Sequence, residues 1–399
     1  MNKNKITFFN LWLGLMISEL GGSLMTFSLS LLVYKQSGDV KDIGIMWILY
    51  FIPSIIVQLI SGPFLDRYSK KKILVYLQIF KGILLVLFII IYINTNALIV
   101  IYIFQIFIGA ITPIYTPVSQ SILPEISRDE DLALHNSVID GTSKVMIAIS
   151  PIVSGLLISY INAYIAIYLA FLCFISSGIS LMFLRDFHIN PLIKNSWINE
   201  LKEGFRYYKE QKNVKHLGYL LMSVQFTVGI ITVISLPYIL KILKGDMSNY
   251  GIFMACFPMG YVIGTFAIKW TTKFNQYHVM YMMILIEVIG YLCLGVSQSI
   301  YLSYSIELVS GVALSIFNSY NTLLVQKTIK KEIMGRIFSI RLAIIRFSMP
   351  LGIVVATLLV DIIGIRSLYL LNSLIISTIL LIYIYISRKQ NVIINKRQF

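Results

Sequence analysis

Uninterrupted apolar runs of about 20 residues recur along this chain, and they constrain its fold more than any other feature. As a helix, a run of that length crosses a hydrocarbon core of about 30 Å. Only helices and closed barrels satisfy every backbone polar group in lipid, and barrel strands are about half as long and alternate in polarity. The runs therefore predict an all-α polytopic membrane protein.

Twelve such runs occur in the 399 residues, and the longest connector separates them into two sets of six. We expect twelve transmembrane helices in two pseudo-symmetric six-helix bundles. The predicted domains are an N-terminal bundle (1–184), a cytoplasmic linker (185–215) and a C-terminal bundle (216–399). The predicted spans are 8–34, 43–65, 73–93, 97–119, 133–160, 163–184, 216–240, 248–270, 278–298, 300–326, 336–361 and 364–386.

Composition excludes several other classes of protein. The chain is 57% hydrophobic and 13% charged, whereas soluble domains carry about 25% charged residues. The net charge of +15 does not indicate a nucleic-acid partner, because the basic residues lie in short connectors between apolar runs. The three cysteines lie inside apolar runs, so we expect neither a disulfide framework nor a metal site.

The basic residues also predict the orientation. Most of the 33 Lys and Arg residues fall in alternate connectors, and positively charged loops stay in the cytoplasm. We therefore place both termini inside, in a bacterial cytoplasmic membrane, the source being inferred from the abundance of Ile, Lys, Asn and Tyr. In the linker, apolar residues from Trp197 to Tyr208 recur at helical spacing, which favours an amphipathic helix on the inner leaflet. A plain solvated linker is the alternative.

The two halves resemble each other weakly. Residues 62–67 close span two, and the similar stretch 264–269 closes span eight. Pro151 interrupts span five, and Pro350 interrupts span eleven. Internal repeats of this kind are typical of secondary transporters, whose substrate site lies between the repeats near the bilayer midplane.

The stretch Gly62-Pro63-Phe64-Leu65-Asp66-Arg67, followed by a basic cluster, resembles the signature of the major facilitator superfamily between helices two and three. Ser150-Pro151-Ile152-Val153-Ser154-Gly155 resembles an element of its drug/proton antiporters, with Ser150 and Ser154 replacing two glycines. Smaller matches resemble the branch of macrolide-efflux and siderophore-export proteins: 18–23, 34–38, 123–125, 136–137 and 335–338.

This resemblance implies a proton-driven exporter of amphipathic molecules such as drugs, macrolide-like compounds or siderophores. It also implies that helices one, four, seven and ten line a central cavity. Gln105 stands on helix four where many proton-coupled relatives have Arg, so a proton relay through that Arg does not carry over.

We expect conformational control at the 66–72 loop. Asp66 can meet the start of helix eleven, which carries Arg336 and Arg341 and is itself positive as a helix N-terminus. Such a contact would hold the cytoplasmic gate shut, with Gly62 allowing close helix approach and Arg67 fixing the topology. The alternative is that the loop is only a topology signal. We assign Pro151 and Gly155 to the gate as well.

Charged residues inside spans cost about 2.5–3.5 kcal/mol on insertion, so each is a functional hypothesis. Glu19, near the middle of helix one, can exchange a proton or pair with a cationic substrate. Glu307 is a second such acid or an interfacial residue. Asp140 and Lys144 lie one helical turn apart and form either a structural ion pair or part of the gate.

Other polar residues in the spans are less specific. We interpret Arg341 and Arg346 as partners for Asp66, Asp140 or Glu307. Glu287 has no evident partner, and we expect Lys81 to extend to the inner interface. The polar groups proposed to complete a substrate site are Gln105, Gln225, Asn318, Tyr320 and Asn321.

No phosphate-binding loop, zinc-protease motif or nucleophile elbow occurs, so we predict a transporter without enzymatic activity or a cofactor. Its expected partners are an amphipathic small molecule, protons and the lipid bilayer, with no nucleic acid, and we expect a monomer. Two other functions stay open: an uncoupled metabolite facilitator, and a non-transporting membrane sensor or partner protein with the same fold.

Overall fold

The computed structural model describes residues 3–65, 69–127, 129–185, 206, 211–328 and 334–395, and the regular structure in these ranges is helical. Six helices make up the first half of the chain. They are α1 (Lys3–Ser37), α2 (Val40–Leu65), α3 (Lys70–Thr95), α4 (Leu98–Ile126), α5 (Asp129–Tyr160) and α6 (Ala163–Met182).

Local signals explain where several of these helices begin and end. The Ser69 hydroxyl accepts a hydrogen bond from the Lys72 N–H at the start of α3, and the Asn162 side chain accepts one from the Ile165 N–H at the start of α6. Both are N-caps, which satisfy free backbone donors. At the end of α3, Asn96 takes a left-handed conformation with φ 46°, the usual way to end a helix.

The second half follows the same plan. Its helices are α7 (Lys212–Pro237), which continues into a π-helical turn (Tyr238–Ile242), α8 (Met247–Thr271), α9 (Gln276–Val296) and α10 (Ile300–Thr328). The remaining helical stretch, Met334–Asn395, is broken at Gly364, where φ is 80° and ψ is 167°. Only glycine adopts this conformation easily. We name the parts before and after Gly364 α11 and α12.

Eleven described segments are long and apolar enough to cross a membrane. The last of them, Phe347–Ile384, has 38 residues, about twice the length that one crossing needs. The break at Gly364 divides it into two spans, which gives twelve. The prediction of an all-α protein with twelve transmembrane helices is therefore confirmed, and Gly364 falls at the predicted start of the last span.

Contacts divide the described helices into two units. The N-terminal unit contains α1 to α6 and the segment Ile239–Met259. In it, α1 packs on α5 and α6, α3 packs on α4 and α6, and α2 packs on α4. Small residues permit the closest approach, since a Cβ on Gly109 of α4 would lie only 2.1 Å from the Tyr50 carbonyl oxygen of α2.

The C-terminal unit contains α7, the remainder of α8, and α9 to α12. The α7 helix packs on the α11/α12 stretch, and α9 packs on both α10 and α12. Here too glycine allows backbones to approach, because a Cβ on Gly260 of α8 would lie 1.9 Å from the Leu308 carbonyl oxygen of α10. In both units the tightest contacts are between backbones, as is usual for helices in lipid.

Several predictions lie outside the described residues. These include Asp66 and Arg67 of the proposed gate, and the amphipathic helix of the linker, of which only Arg206 is described. For Arg336, Arg341 and Arg346 the structure describes a helical backbone but not the side chains. The proposed partners of these arginines, and the three-part domain division, stay predictions.

Candidate functional site

A cavity of about 260 Å³ lies inside the N-terminal unit. Helix α1 forms one wall, and α2, α3, α4 and α6 contribute the others. Its lining combines two charged groups with hydroxyls and apolar side chains. The lining residues are Ser18, Glu19, Gly22, Ser23, Met25, Thr26, Tyr50, Lys81, Ile108, Thr112, Tyr115 and Phe174.

Glu19 lines this cavity. The expectation that it faces a central cavity lined by helices one, four, seven and ten stays a prediction, because the lining found here belongs to the N-terminal unit. Its side chain is half-buried. Two positive charges act on the carboxylate, that of Lys81 most strongly and that of Lys144 less so. Among the described residues, Glu19 nevertheless makes no direct ion pair. The carboxylate is therefore held in a positive field while remaining open to the cavity.

Lys81 lines the same cavity, which corrects the expectation that it extends to the membrane interface. The residue is only 4% exposed. Its ammonium lies 5.0 Å from the centre of the Tyr115 ring and 5.6 Å from that of Phe174. A desolvated cation–π contact contributes about 2 kcal/mol or more, comparable with the cost of about 2.5–3.5 kcal/mol for placing Lys in a span. Two aromatic faces therefore offset much of the cost of this burial.

A small polar cluster fixes the helices that carry the two charges. The Gln78 amide donates to the Ser18 hydroxyl at 2.6 Å, which joins α3 to α1 one turn from Lys81 and one residue from Glu19. The Ser177 hydroxyl of α6 donates to the Gly14 carbonyl at 2.6 Å. Within the described part of the chain, the buried Tyr115 hydroxyl lies near this cluster without a hydrogen bond of its own. These bonds fix the walls from which Glu19 and Lys81 project.

The α4 residues that line the cavity do not include Gln105, the α4 residue proposed for the site from the sequence. Gln105 is buried, at 2% exposure, but it is absent from the lining. Ile108, Thr112 and Tyr115 form the lining face instead. They recur at intervals of four and three residues, the spacing of one helical face. That spacing is visible in the sequence, but it does not show which face of α4 turns inward.

The C-terminal unit contains the other predicted site residues, in separate contacts. Asn321 is fully buried and donates to the Leu217 carbonyl at 3.0 Å, joining α10 to α7. Asn318 donates to the Tyr261 hydroxyl at 3.4 Å. Tyr320 shares a hydrogen bond with Thr271 at 2.9 Å, whereas Gln225 is half-buried. These contacts join helices to one another.

Two acids of the C-terminal unit are buried together. Glu287 is 2% exposed and Glu307 is 7% exposed, and the charge of Glu307 acts on Glu287. Among the residues that the structure describes, neither carboxylate oxygen of Glu287 has a hydrogen-bond partner. The sequence indicates no partner for Glu287, and the structure places a second acid beside it. Within the described ranges, no group of three His, Cys, Asp or Glu side chains is arranged as metal ligands.

The predicted gating residues are spread along α2 and α5. Gly62 lies in the last turn of α2. Asp140 and Lys144 are both exposed on α5, and Pro151 lies within the same helix. A Cβ on Gly155 would lie 2.6 Å from the Met247 carbonyl oxygen, so α5 closely approaches the start of α8 there.

Comparison with known proteins assigns the family. The sequence model of the transmembrane secretion effector family, within the major facilitator superfamily, matches residues 3–395. The chain belongs to this family. The resemblance to the superfamily drawn from the 62–72 stretch is thereby confirmed. The protein is a polytopic membrane transporter and not an enzyme.

Individual relatives are distant but match over almost their full length. Macrolide efflux protein A of Streptococcus pyogenes is 22% identical over 96% of this chain and 96% of its own. The staphyloferrin A transporter of Staphylococcus aureus is 21% identical over 96% of this chain and 94% of its own. The crystal structure of the nucleoside transporter NupG covers 96% of this chain and 99% of its own, with a TM-score of 0.76 at 14% identity. The likeness to NupG concerns the fold alone.

Proposed function

We propose that this chain exports a hydrophobic or amphipathic small molecule in exchange for protons, by alternating access. The observation that carries the proposal is the cavity that the Glu19 carboxylate lines together with apolar and aromatic side chains. Amphipathic ligands need apolar walls with a few placed polar groups. An acid inside a transmembrane helix is costly, and it commonly marks a substrate or proton pathway.

Glu19 is the proposed coupling residue. A proton and the cationic group of a substrate compete for the same carboxylate, so each weakens the binding of the other. If the loaded and protonated forms return to opposite sides of the membrane, proton entry drives substrate exit. Lys81 and Lys144 act on the same carboxylate and so adjust this competition.

Two relatives support the proposal, the first for the direction of transport and both for the kind of substrate. One is a macrolide efflux protein and another is a staphyloferrin A transporter. The basic connectors support a location of both termini on the cytoplasmic side of the bacterial membrane. We expect the transporter to act as a monomer. The proposed gate involves Asp66 and the arginines of α11. Its predicted residues on α5 are Asp140, Lys144, Pro151 and Gly155.

An efflux assay in proteoliposomes tests this function. The chain is reconstituted with an imposed proton gradient, and release of a macrolide, staphyloferrin A and an amphipathic cationic dye is followed with and without an uncoupler. We expect at least one compound to move in an uncoupler-sensitive way. We also expect Glu19→Gln to abolish the response to the gradient while keeping some substrate binding, because the amide resembles the protonated acid.

Asp246→Asn is the matched control, because it removes one acid from an exposed site in the same unit. It also keeps an acceptor for the N–H of Asn249, which Asp246 now binds at 2.8 Å. Transport that is insensitive to the uncoupler would instead indicate a facilitator. A lack of transport of every compound by correctly folded protein would favour a sensor or partner protein.

A further inference from the structure

The buried Lys81 ammonium meets no acceptor among the described residues. It makes no hydrogen bond and no direct ion pair with them, and its close neighbours are the rings of Tyr115 and Phe174. The residue is only 4% exposed, and it lines the cavity. Aromatic faces attract a cation but accept none of its three N–H donors in the way an oxygen does. The donors are therefore available to whatever enters the cavity.

Glu19 is the acidic group of the same cavity. It lines the same cavity, and Lys81 is the charge that acts on it most strongly. The two groups, both described by the structure, nevertheless do not touch as an ion pair. A buried pair with a purely structural role satisfies its charges by direct contact, because separated charges in a low-dielectric interior are costly. Here the carboxylate and the ammonium both line the cavity instead.

The rest of the lining fits a molecule with an apolar body. Met25, Ile108 and Phe174 supply apolar surface, and Thr26 and Thr112 add hydroxyls beside it. A ligand that places a negative group at Lys81 and a positive group at Glu19 would satisfy both buried charges at once. A ligand with only one charge would leave the other without a partner.

We propose that the transported molecule is a small amphipathic zwitterion, with its anionic group bound by Lys81 and its cationic group bound by Glu19. This inference rests on the proposed export function and makes it more specific. It makes Lys81 the residue that selects for an anionic group. Selection works mainly through rejection, since an analogue that lacks the anion leaves the ammonium buried and unpaired.

The test uses three probes that share one apolar body: tryptophan as the zwitterion, tryptophan methyl ester as the cation and N-acetyltryptophan as the anion. Binding of each radiolabelled probe to the purified chain is measured for the wild type, Lys81→Gln, Lys81→Arg and Glu19→Gln. Asp246→Asn serves as the control, and size-exclusion and thermal-unfolding profiles check that each variant is folded.

We expect the wild type to bind tryptophan more tightly than either derivative. Lys81→Gln should weaken tryptophan binding roughly tenfold or more, because a buried charge pair is lost. It should leave the methyl ester bound at least as tightly, since a repelling charge is gone. Lys81→Arg should retain part of the tryptophan affinity. Glu19→Gln should show the converse pattern, losing the ester and keeping N-acetyltryptophan.

Three results would overturn the zwitterion assignment: equal losses of tryptophan and ester in Lys81→Gln, no change in that variant, or no binding of any probe. Gradient-driven export of a cationic dye by the wild type, together with equal binding of the three tryptophan probes, would leave the proposed function standing while this inference fails. If no compound is exported under the gradient but binding is selective for the zwitterion, the proposed export function fails and the assignment of the ligand's charges stands.

Discussion

The two units bury charges at matching positions of their helices, but with different signs. Lys81 is the twelfth residue of α3, and Glu287 is the twelfth residue of α9. Gln105 is the eighth residue of α4, and Glu307 is the eighth residue of α10. The N-terminal unit thus combines a buried base with an amide, whereas the C-terminal unit has two acids.

The two units therefore share the positions of their buried polar residues but not the charges of those residues. In both halves of the chain the buried polar residue lies at a similar depth in the membrane. That depth is fixed by the residue at which the helix starts and by the thickness of the bilayer. The charge placed there then follows its surroundings. Lys81 has aromatic faces and a distant carboxylate around it, whereas Glu287 has a second acid beside it. In the N-terminal unit the buried charges have opposite signs and attract each other. In the C-terminal unit the two buried groups are both acids, which repel each other when both are ionised.

The largest effect that we expect concerns the backbone contacts that hold each unit together. A Cβ on Gly109 would lie 2.1 Å from the Tyr50 carbonyl oxygen, and one on Gly260 would lie 1.9 Å from that of Leu308. Overpacking of this kind costs about 1–3 kcal/mol and sometimes more. Gly109→Ala and Gly260→Ala should both lower the midpoint of thermal unfolding and the yield of monodisperse protein.

The control for these two variants is Gly141→Ala, since among the described residues no atom beyond the adjacent backbone of its own helix lies within 4 Å of a Cβ there. It should be at least as stable as the wild type, because alanine favours a helix more than glycine does. If only one of the two close-contact glycines tolerates alanine, the two units do not depend equally on tight helix pairs. The two units would then differ in helix packing as well as in their buried charges.

The next effect is a difference in the sign of coupling between the two charge pairs. In a double-mutant cycle of Glu19→Gln and Lys81→Gln, each single variant strands the other charge, so the double variant should lose less stability than the sum of the two. In the cycle of Glu287→Gln and Glu307→Gln, either single change relieves repulsion, so the second should gain less than the first. Coupling of about 0.5–3 kcal/mol is typical of residues that are in contact or share a cavity.

Thermal unfolding in detergent measures both cycles under the same conditions. Coupling of the same sign in the two units would mean that the buried charges are not organised as the structure indicates. High salt is an internal check, because buried pairs are screened much less than exposed ones. Both couplings should therefore persist when the salt concentration is raised.

The same contrast shows how far the sequence could lead. Apolar runs fix the number of spans and the depth of each residue, so the twelve helices, the break near Gly364 and the central position of Glu19 were all predictable. The rotation of each helix about its own axis was not. Lipid accepts an apolar face on every side, so hydrophobic periodicity says little about which face turns inward. This is why Lys81 was expected at the interface, and why the lining face of α4 was not predicted.

The smallest effect that we expect is at Glu307, the acid that occupies the position of Gln105 in the other unit. Glu307→Gln gives both units the same residue at this position. It also removes one of two neighbouring acids, so the variant should be at least as stable as the wild type. Because Glu19 is the proposed coupling residue, the response of export to an imposed proton gradient should change far less than in Glu19→Gln.

Proteoliposome efflux under the same gradient compares the two variants, with Asp246→Asn as the reference. Loss of the gradient response in Glu307→Gln, with an intact response in Glu19→Gln, would transfer proton coupling to the C-terminal acids. The cavity of the N-terminal unit would then serve the substrate alone.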